Sequence, residues 1–213
     1  MAIFRSIPSF TNTSVPSDRY IGPFIAHGRC DRTNSLYNYY TNYGVYFLNS
    51  PKTISTAKFE VVTAMTNTGT PVIQVAFYYP ANVNGQVRVG AQIPNSLATG
   101  IDAATTGVKT VSYGTSWQAP SGIFFMALKA TGSTLNNSGT IRSFSIDSGT
   151  NNYIWSQFMG GFSSATPTAQ FGTPAFPNPD SVGNTQNLLT DFTNTSVFYD
   201  TFNGFTQAAV MIG

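Results

Sequence analysis

Residues 105–131 read TTGVKTVSYGTSWQAPSGIFFMALKAT, and this stretch decides the predicted fold. From Val108 to Tyr113, β-branched and aromatic residues recur on both faces of an extended segment, which is typical of a β-strand. Ala119-Pro120-Ser121-Gly122 is a turn, because proline restricts φ and glycine supplies the freedom needed to leave it. The apolar run from Ile123 to Leu128 then predicts a strand buried on both faces. We expect these two strands to form the central hairpin of a sandwich.

Short segments with strand character, separated by turn residues, occupy much of the remaining chain. We predict strands at residues 54–65, 72–79, 87–89, 141–146, 153–155, 192–205 and 208–212. Pro80 is expected to end the second of these, Asn84-Gly85 to form a hairpin turn, and residues 96–106 to be a loop. No convincing helical pattern is present. The chain is therefore predicted to be all-β, an antiparallel β-sandwich of jelly-roll type that spans residues 23–213 as one domain.

An extended arm, residues 1–22, is predicted to precede the sandwich. Pro8 and Pro16 interrupt this segment and exclude a helical period. Its apolar residues are interspersed with polar ones, which suits an extended segment that inserts side chains into another surface. We expect the arm to dock onto its own domain or onto a neighbouring subunit. The anchoring residues are predicted to be Ile3, Phe4, Ile7 and Phe10.

The composition of the 213-residue chain predicts an uncharged surface. Hydrophobic residues make up 41% and aromatic residues 14%, which is ample for a large core, and only 8% are charged, against roughly a quarter in ordinary soluble domains. Thr, Ser, Asn and Gly supply most of the polar remainder, so copies of the chain repel one another weakly. This favours a subunit covered by neighbours, with an extracellular β-protein as the alternative.

Charge and apolar runs also bear on partners and location. The formal net charge is +2 and the ten basic residues are scattered, so we expect no nucleic-acid partner. No apolar run approaches the roughly 20 residues of a membrane helix, so we expect no membrane insertion. The N-terminus lacks the pattern of a signal peptide, which predicts synthesis in a cytoplasm and, for an exported protein, release by another route such as host lysis.

His27 and Cys30 are the one place where metal ligands or nucleophiles crowd together. A zinc site needs about four ligands, but the sequence holds one histidine and one cysteine, so we expect no metal and no cofactor. A Ser-His-Asp triad is discounted because no G-x-S-x-G turn occurs. We interpret Cys30 as an inert buried thiol beside a hydrogen-bonded histidine. We expect no enzymatic activity, although eight acidic residues leave open a carboxylate pair, as in a polysaccharide depolymerase.

Aromatic residues supply the candidate binding site. Exposed rings stack on the apolar faces of sugars, and adjacent Asn and Thr side chains bond sugar hydroxyls. Trp117, next to the Pro120 turn, is predicted to be a platform at a loop tip. The alternative places these rings in the core or in a subunit interface, where each contributes roughly 2–3 kcal/mol. The candidate residues are Tyr37, Tyr39, Tyr40, Tyr43 and Trp117.

Three motifs follow one another across residues 24–135. They are the strand from Phe59 to Met65 with Thr68-Gly69-Thr70 behind it, the segment from Thr105 to Thr110, and the segment from Ala119 to Leu128. Their order and spacing resemble a β-sandwich domain of tail fibres and minor structural proteins in bacteriophage virions. The chain departs from the family pattern at Phe124-Phe125, where Tyr-Trp is usual, and at residues 83–86, where a GLPG loop is usual.

The resemblance implies a non-enzymatic virion protein located in the tail, a fibre or the tail tip, with attachment to host-surface polysaccharide as a further role. Its partners would be other virion subunits and further copies of itself, with a homotrimer expected by analogy to fibre attachments. The alternatives are a capsid decoration or head-fibre protein of the same fold and a stand-alone carbohydrate-binding module. The motifs are turns and core strands, so they indicate fold and virion context and assign no binding site.

Overall fold

The computed structural model describes residues 20–23, 30, 32–36, 41–66, 69–83, 86–131, 139–145, 187–191 and 206–213. Within these ranges the regular secondary structure is all β-strand, and the paired strands are antiparallel. The predicted strands at 153–155 and 192–205 lie outside them. The strands are β1 (Arg32–Leu36), β2 (Thr41–Leu48), β3 (Lys52–Thr63), β4 (Val72–Val83), β5 (Gln86–Gln92), β6 (Ala98–Asp102), β7 (Gly107–Ala119), β8 (Gly122–Thr131), β9 (Gly139–Ser145), β10 (Thr206–Ala208) and β11 (Met211–Ile212).

The strands form two sheets in the order of a jelly roll. In the six-stranded sheet the neighbours run β1-β9-β3-β7, and β10 and β11 pair with β9 and β3. In the five-stranded sheet they run β2-β8-β4-β5, and β6 also pairs with β4. Two facing rows of four strands in this order are the double Greek-key arrangement of a jelly roll. The predicted antiparallel β-sandwich is confirmed.

The turn at residues 119–122 connects the two sheets and does not close a hairpin. Both flanking strands form where the sequence predicts them, and Gly122 has a φ of +83° where the chain leaves the turn. However, β7 pairs with β3, whereas β8 pairs with β2 and β4 in the other sheet. The predicted hairpin is therefore wrong. Turn residues determine that the chain reverses, but they do not determine whether the next strand joins the same sheet.

Strand β8 is buried on both faces, as its sequence predicts. Phe124, Met126 and Leu128 point into the core between the sheets and are fully buried. Phe125 and Ala127 belong to a second apolar cluster on the outer face of the five-stranded sheet. Because each large side chain stabilises the fold by about 1.5–3 kcal/mol when fully buried, this strand holds both apolar clusters together.

Residues 187–191 cross the outer face of the five-stranded sheet. The Leu188 N–H donates to Oε1 of Gln74 at 2.8 Å, and the Tyr78 hydroxyl donates to the Leu189 carbonyl at 2.8 Å. Leu188 packs into the second apolar cluster beneath the segment. These contacts explain how part of the outer face of β8 is shielded from water.

Two segments differ from their predictions. Strand β4 continues through Pro80 to Val83, with a register shift at the proline that accommodates its missing N–H. The prediction that Pro80 ends this strand is wrong. Val83 pairs with Gln86, so β4 and β5 form the predicted hairpin, and its turn residues Asn84 and Gly85 lie outside the described ranges. The predicted loop at residues 96–106 is also wrong in part, because its middle forms β6.

Residues 206–213 fill a fork between β3 and β9. The two strands pair near Val61 and then diverge. Beyond that point β10 pairs with β9, and β11 pairs with β3. On the far side of β11, the Ile21 N–H donates to the Ile212 carbonyl at 2.7 Å, and the Ile212 N–H donates back at 2.8 Å. Ile21 belongs to the predicted arm, so at this point the arm docks onto its own sandwich.

Candidate functional site

Most of the predicted anchoring and binding residues lie outside the described ranges. This applies to Ile3, Phe4, Ile7, Phe10, Tyr37, Tyr39 and Tyr40. The backbone of Tyr43 lies in β2, opposite Ala127 of β8. The roles assigned to these residues stay predictions.

Trp117 is a core residue and not an exposed platform. Its side chain is only 2% exposed, and its ring stacks on Phe77 with 4.6 Å between ring centroids. The rings of Phe124 and Tyr113 meet it edge-on at 6.4 Å and 6.0 Å. The predicted loop-tip position is wrong because β7 extends as far as Ala119, and Trp117 alternates onto its buried face. For this ring the core alternative holds.

Cys30 also differs from its prediction, because its side chain is exposed. His27 lies outside the described ranges, so the proximity of the two residues stays a prediction. Among the residues that the structure describes, no three His, Cys, Asp or Glu side chains come together as a metal site would require.

A groove runs between β6 and β7, where the edge of one sheet faces the edge of the other. It has a volume of about 710 Å³ and is lined by Asn95, residues 97–102 and residues 108–115. Strand β6 pairs with β4, and β7 pairs with β3. In the described part of the chain, neither strand has a partner on its other edge. We call this feature the β6–β7 groove; it is bounded by two open strand edges.

The hydrogen bonds of β3 show which main-chain groups of β7 point away from β3. Thr56 exchanges hydrogen bonds with Gly213, because each residue's N–H donates to the other's carbonyl. The main-chain groups of Thr56 therefore point away from β7, and those of the next residue, Ala57, point towards it. Ala57 pairs with Val111. The residues on either side of Val111 consequently direct their N–H and C=O groups to the open edge.

The open edge of β7 therefore consists of the main-chain groups of Val108, Thr110 and Ser112. Val108 is 68% exposed, which is unusual for a valine, and Leu97 on the opposite rim is 39% exposed. The hydroxyls of Thr99, Thr110 and Ser112 add side-chain donors and acceptors to the lining. The groove therefore offers main-chain hydrogen bonding flanked by apolar side chains, which suits an extended peptide.

An ion pair links β6 to β7 at one end of the groove. Nζ of Lys109 lies 3.1 Å from Oδ2 of Asp102 and donates to Oγ1 of Thr105 at 2.6 Å. The Thr105 hydroxyl, the Ala104 N–H and Lys109 all donate to the Asp102 carboxylate, and they lower its pKa to about 2. These are the two charged residues of the lining, and they neutralise each other. The rest of the groove is uncharged.

Two polar groups beneath the groove lack partners. The Tyr113 hydroxyl and the Trp117 indole nitrogen are buried and have no hydrogen bond among the described residues. They are neighbours, but their geometry does not form a bond between them. Burial raises the pKa of Tyr113 well above the ordinary tyrosine value, and the nearby Trp117 N–H opposes this only in part. A buried polar group that is left unpaired costs about 1–3 kcal/mol.

Sequence reasoning missed the β6–β7 groove. The weak strand signal in this region was the alternation of Ile101 and Ala103, which small and polar neighbours obscured. The open edge itself could not have been found this way. It depends on which strand pairs with which, and no residue type encodes that.

Comparison with protein-family models, with curated proteins and with solved structures finds no significant match to this chain. Within the described ranges, no helix has the length and apolarity needed to cross a bilayer.

Proposed function

We propose that this chain is a non-enzymatic structural subunit of a bacteriophage particle, a component of the tail, a fibre or the tail tip. The observation that carries the proposal is the open edge of β7. Among the described residues, the main-chain groups of Val108, Thr110 and Ser112 have no strand partner there, and they lie beside an apolar rim. A free strand edge is a template for a strand from another chain, and proteins that work alone usually block it with charge or proline.

The surrounding surface supports the same function. Only 8% of the residues are charged, and the two charged residues of the groove are paired with each other. A neutral surface of this kind opposes association weakly. Jelly rolls are used in viral capsid and lectin domains, among others, so the fold is compatible with a virion protein but does not identify one. The motifs at residues 59–70, 105–110 and 119–128 supply the phage setting by resemblance.

In this proposal the partners are other virion subunits and further copies of the chain, and the site of action is the virion. The arm holds the subunit in the particle, and the jelly roll forms its body. A capsid decoration or head-fibre role uses the same contacts at a different place in the particle. The carbohydrate-binding alternative is weakened because Trp117, its proposed platform, is buried.

Purified particles of the virus that encodes the chain test the proposal. Mass spectrometry should detect the chain at a constant ratio to the main structural proteins, and gold-labelled antibody should place it on the tail or a fibre. Label on the head would favour the decoration alternative. Absence of the chain from washed particles, together with saturable binding of the purified protein to a glycan array, would reject the proposal.

A further inference from the structure

We propose that the N-terminal residues 1–7 of a second copy of this chain add as a strand to the open edge of β7, over the β6–β7 groove. The inference deepens the proposed function and rests on it for its biological setting, because it names the surface on which one subunit receives another. Three features support it: the main-chain groups of β7 that have no strand partner among the described residues, the position at which the arm enters the sandwich, and the sequence of the arm.

The length of the arm segment matches the length of the edge. The open stretch from Val108 to Ser112 spans about 17 Å, at roughly 3.3 Å per residue. The seven residues before Pro8 can extend over about 23 Å, so they cover this edge completely. Pro8 has no N–H, so it would interrupt the pairing at that point, as Pro80 shifts the register of β4. Residues 1–7 would therefore supply an added strand of the required length.

The chemistry of the arm also matches the groove. Between Ala2 and Ser17 the one charged side chain is Arg5. In an extended strand Ile3 and Ile7 lie on one face and Phe4 on the other, so both faces carry apolar side chains. On β7, Val108 and Val111 likewise lie on opposite faces, one exposed and one buried. An added strand would cover the exposed apolar rim on one side and extend the core on the other.

The entry point of the arm favours a second copy as the donor. Ile21 pairs with Ile212, which pairs with Ala57, which pairs with Val111, so these four residues form one row across the sheet. The arm enters at one end of this row, and the open edge of β7 lies about 14 Å away at the other end. To reach its own β7, an arm would have to turn and cross a face of the sheet. A neighbour placed beside the sheet receives it without that turn, in a head-to-tail contact that forms a ring or a filament according to the rotation between subunits.

The first experiment measures the mass of the full-length protein by light scattering and native mass spectrometry. Wild type should associate to at least twice the monomer mass. T110P removes an N–H on the open edge without touching the β3–β7 hydrogen bonds, and I3D combined with I7D makes the arm strand polar. Both variants should be monomeric with unchanged circular dichroism. T110V keeps the N–H and removes only the hydroxyl, so it separates the two contributions and should associate more strongly than T110P.

Three results would overturn the proposal. They are a monomeric wild type, a T110P variant that associates like wild type, and an I3D/I7D variant that associates like wild type. Should T110P fail to fold, V108K combined with T110K replaces it, since lysines at an edge oppose strand addition. S116K, at an exposed residue outside the proposed edge, is its control.

A synthetic peptide of residues 1–12 with a fluorescent label provides an independent measurement. It should bind the I3D/I7D variant, whose own arm no longer competes, and adding T110P should weaken the binding at least tenfold. Equal binding to both proteins would contradict the assignment to β7. The result is separable from the proposed function. If the chain is absent from particles, the proposed function is rejected, but the binding of one copy's arm to the β7 edge of another is not. If a monomeric subunit is incorporated into particles, the arm proposal is rejected and the proposed function is not.

Discussion

The hydroxyl of Tyr46 donates a hydrogen bond of 2.5 Å to the carbonyl oxygen of Val210. Tyr46 lies in β2 of the five-stranded sheet, and Val210 lies between β10 and β11 of the six-stranded sheet, so this bond joins the two layers through the core. The rings of Phe124 and Phe77 pack against Tyr46 at 5.2 Å and 5.6 Å. The C-terminal segment is therefore held by hydrogen bonds to β3 and β9 and by a polar contact from the opposite sheet.

The two buried tyrosines Tyr46 and Tyr113 should respond oppositely to the loss of their hydroxyls. Tyr46→Phe leaves the Val210 carbonyl unpaired in the core and should lower the free energy of unfolding by about 1–3 kcal/mol. Tyr113→Phe removes a buried hydroxyl that has no partner among the described residues, so it should leave that free energy unchanged or raise it by up to about 1 kcal/mol. Urea denaturation of the two variants beside wild type measures both effects. Equal destabilisation by the two substitutions would contradict the hydrogen-bond assignment.

Stability should fall steeply at alkaline pH. Burial raises the pKa of Tyr46, Tyr78 and Tyr113 above the ordinary tyrosine value of about 10. Above pH 10 the unfolded chain loses these protons and the folded chain keeps them, so rising pH favours unfolding. Each tyrosine should contribute up to about 1.4 kcal/mol per pH unit.

Comparison of Tyr113→Phe with wild type isolates one of these contributions, since lysine ionisation is common to both proteins. As the pH rises from about 9 to about 11, on either side of the ordinary tyrosine pKa, the free energy of unfolding should fall less for the variant than for wild type. Parallel pH profiles would show that Tyr113 is not protected from ionisation.

Gly122 should be intolerant of a side chain although space is available for one. A Cβ at this position would have no other atom within 4 Å, but φ is +83°, which L-residues rarely adopt. Gly122→Ala should therefore lower the free energy of unfolding by about 1–2 kcal/mol. Gly114→Ala is the matched control, since a Cβ there also meets nothing within 4 Å and φ is ordinary. It should be neutral or slightly stabilising, and thermal unfolding distinguishes the two.

The boundary between arm and sandwich can be located by two truncations. Deletion of residues 1–19 keeps the two Ile21–Ile212 hydrogen bonds and should leave a folded domain that no longer joins the particle. Deletion of residues 1–22 removes these bonds and the packing of the Tyr20 ring on Lys58, whose Nζ lies 4.7 Å from the ring centroid. The longer deletion should lower the free energy of unfolding by about 1–3 kcal/mol more, at roughly 1 kcal/mol per hydrogen bond. Normal incorporation of the shorter deletion into particles would contradict the anchoring role of the arm.

Local chemistry in the sequence predicted much of this fold correctly. The apolar run from Ile123 to Leu128 forms a strand buried on both faces, and Asn84-Gly85 connects two paired strands. In β3 the alternation of Phe59 and Val61 with charged neighbours matches one buried and one outward face. These features are short-range, since side-chain alternation and turn preference act within a few residues.

The candidate site was beyond such reasoning. The sequence indicated an uncharged all-β chain with a turn at Pro120, because composition and local backbone preferences are properties of the chain itself. Only the tertiary structure decided that this turn passes between sheets, that Trp117 is buried, and that Val108 lies on an open edge. Those outcomes depend on which strands pair across long stretches of chain, and pairing is determined by the joint packing of two sheets.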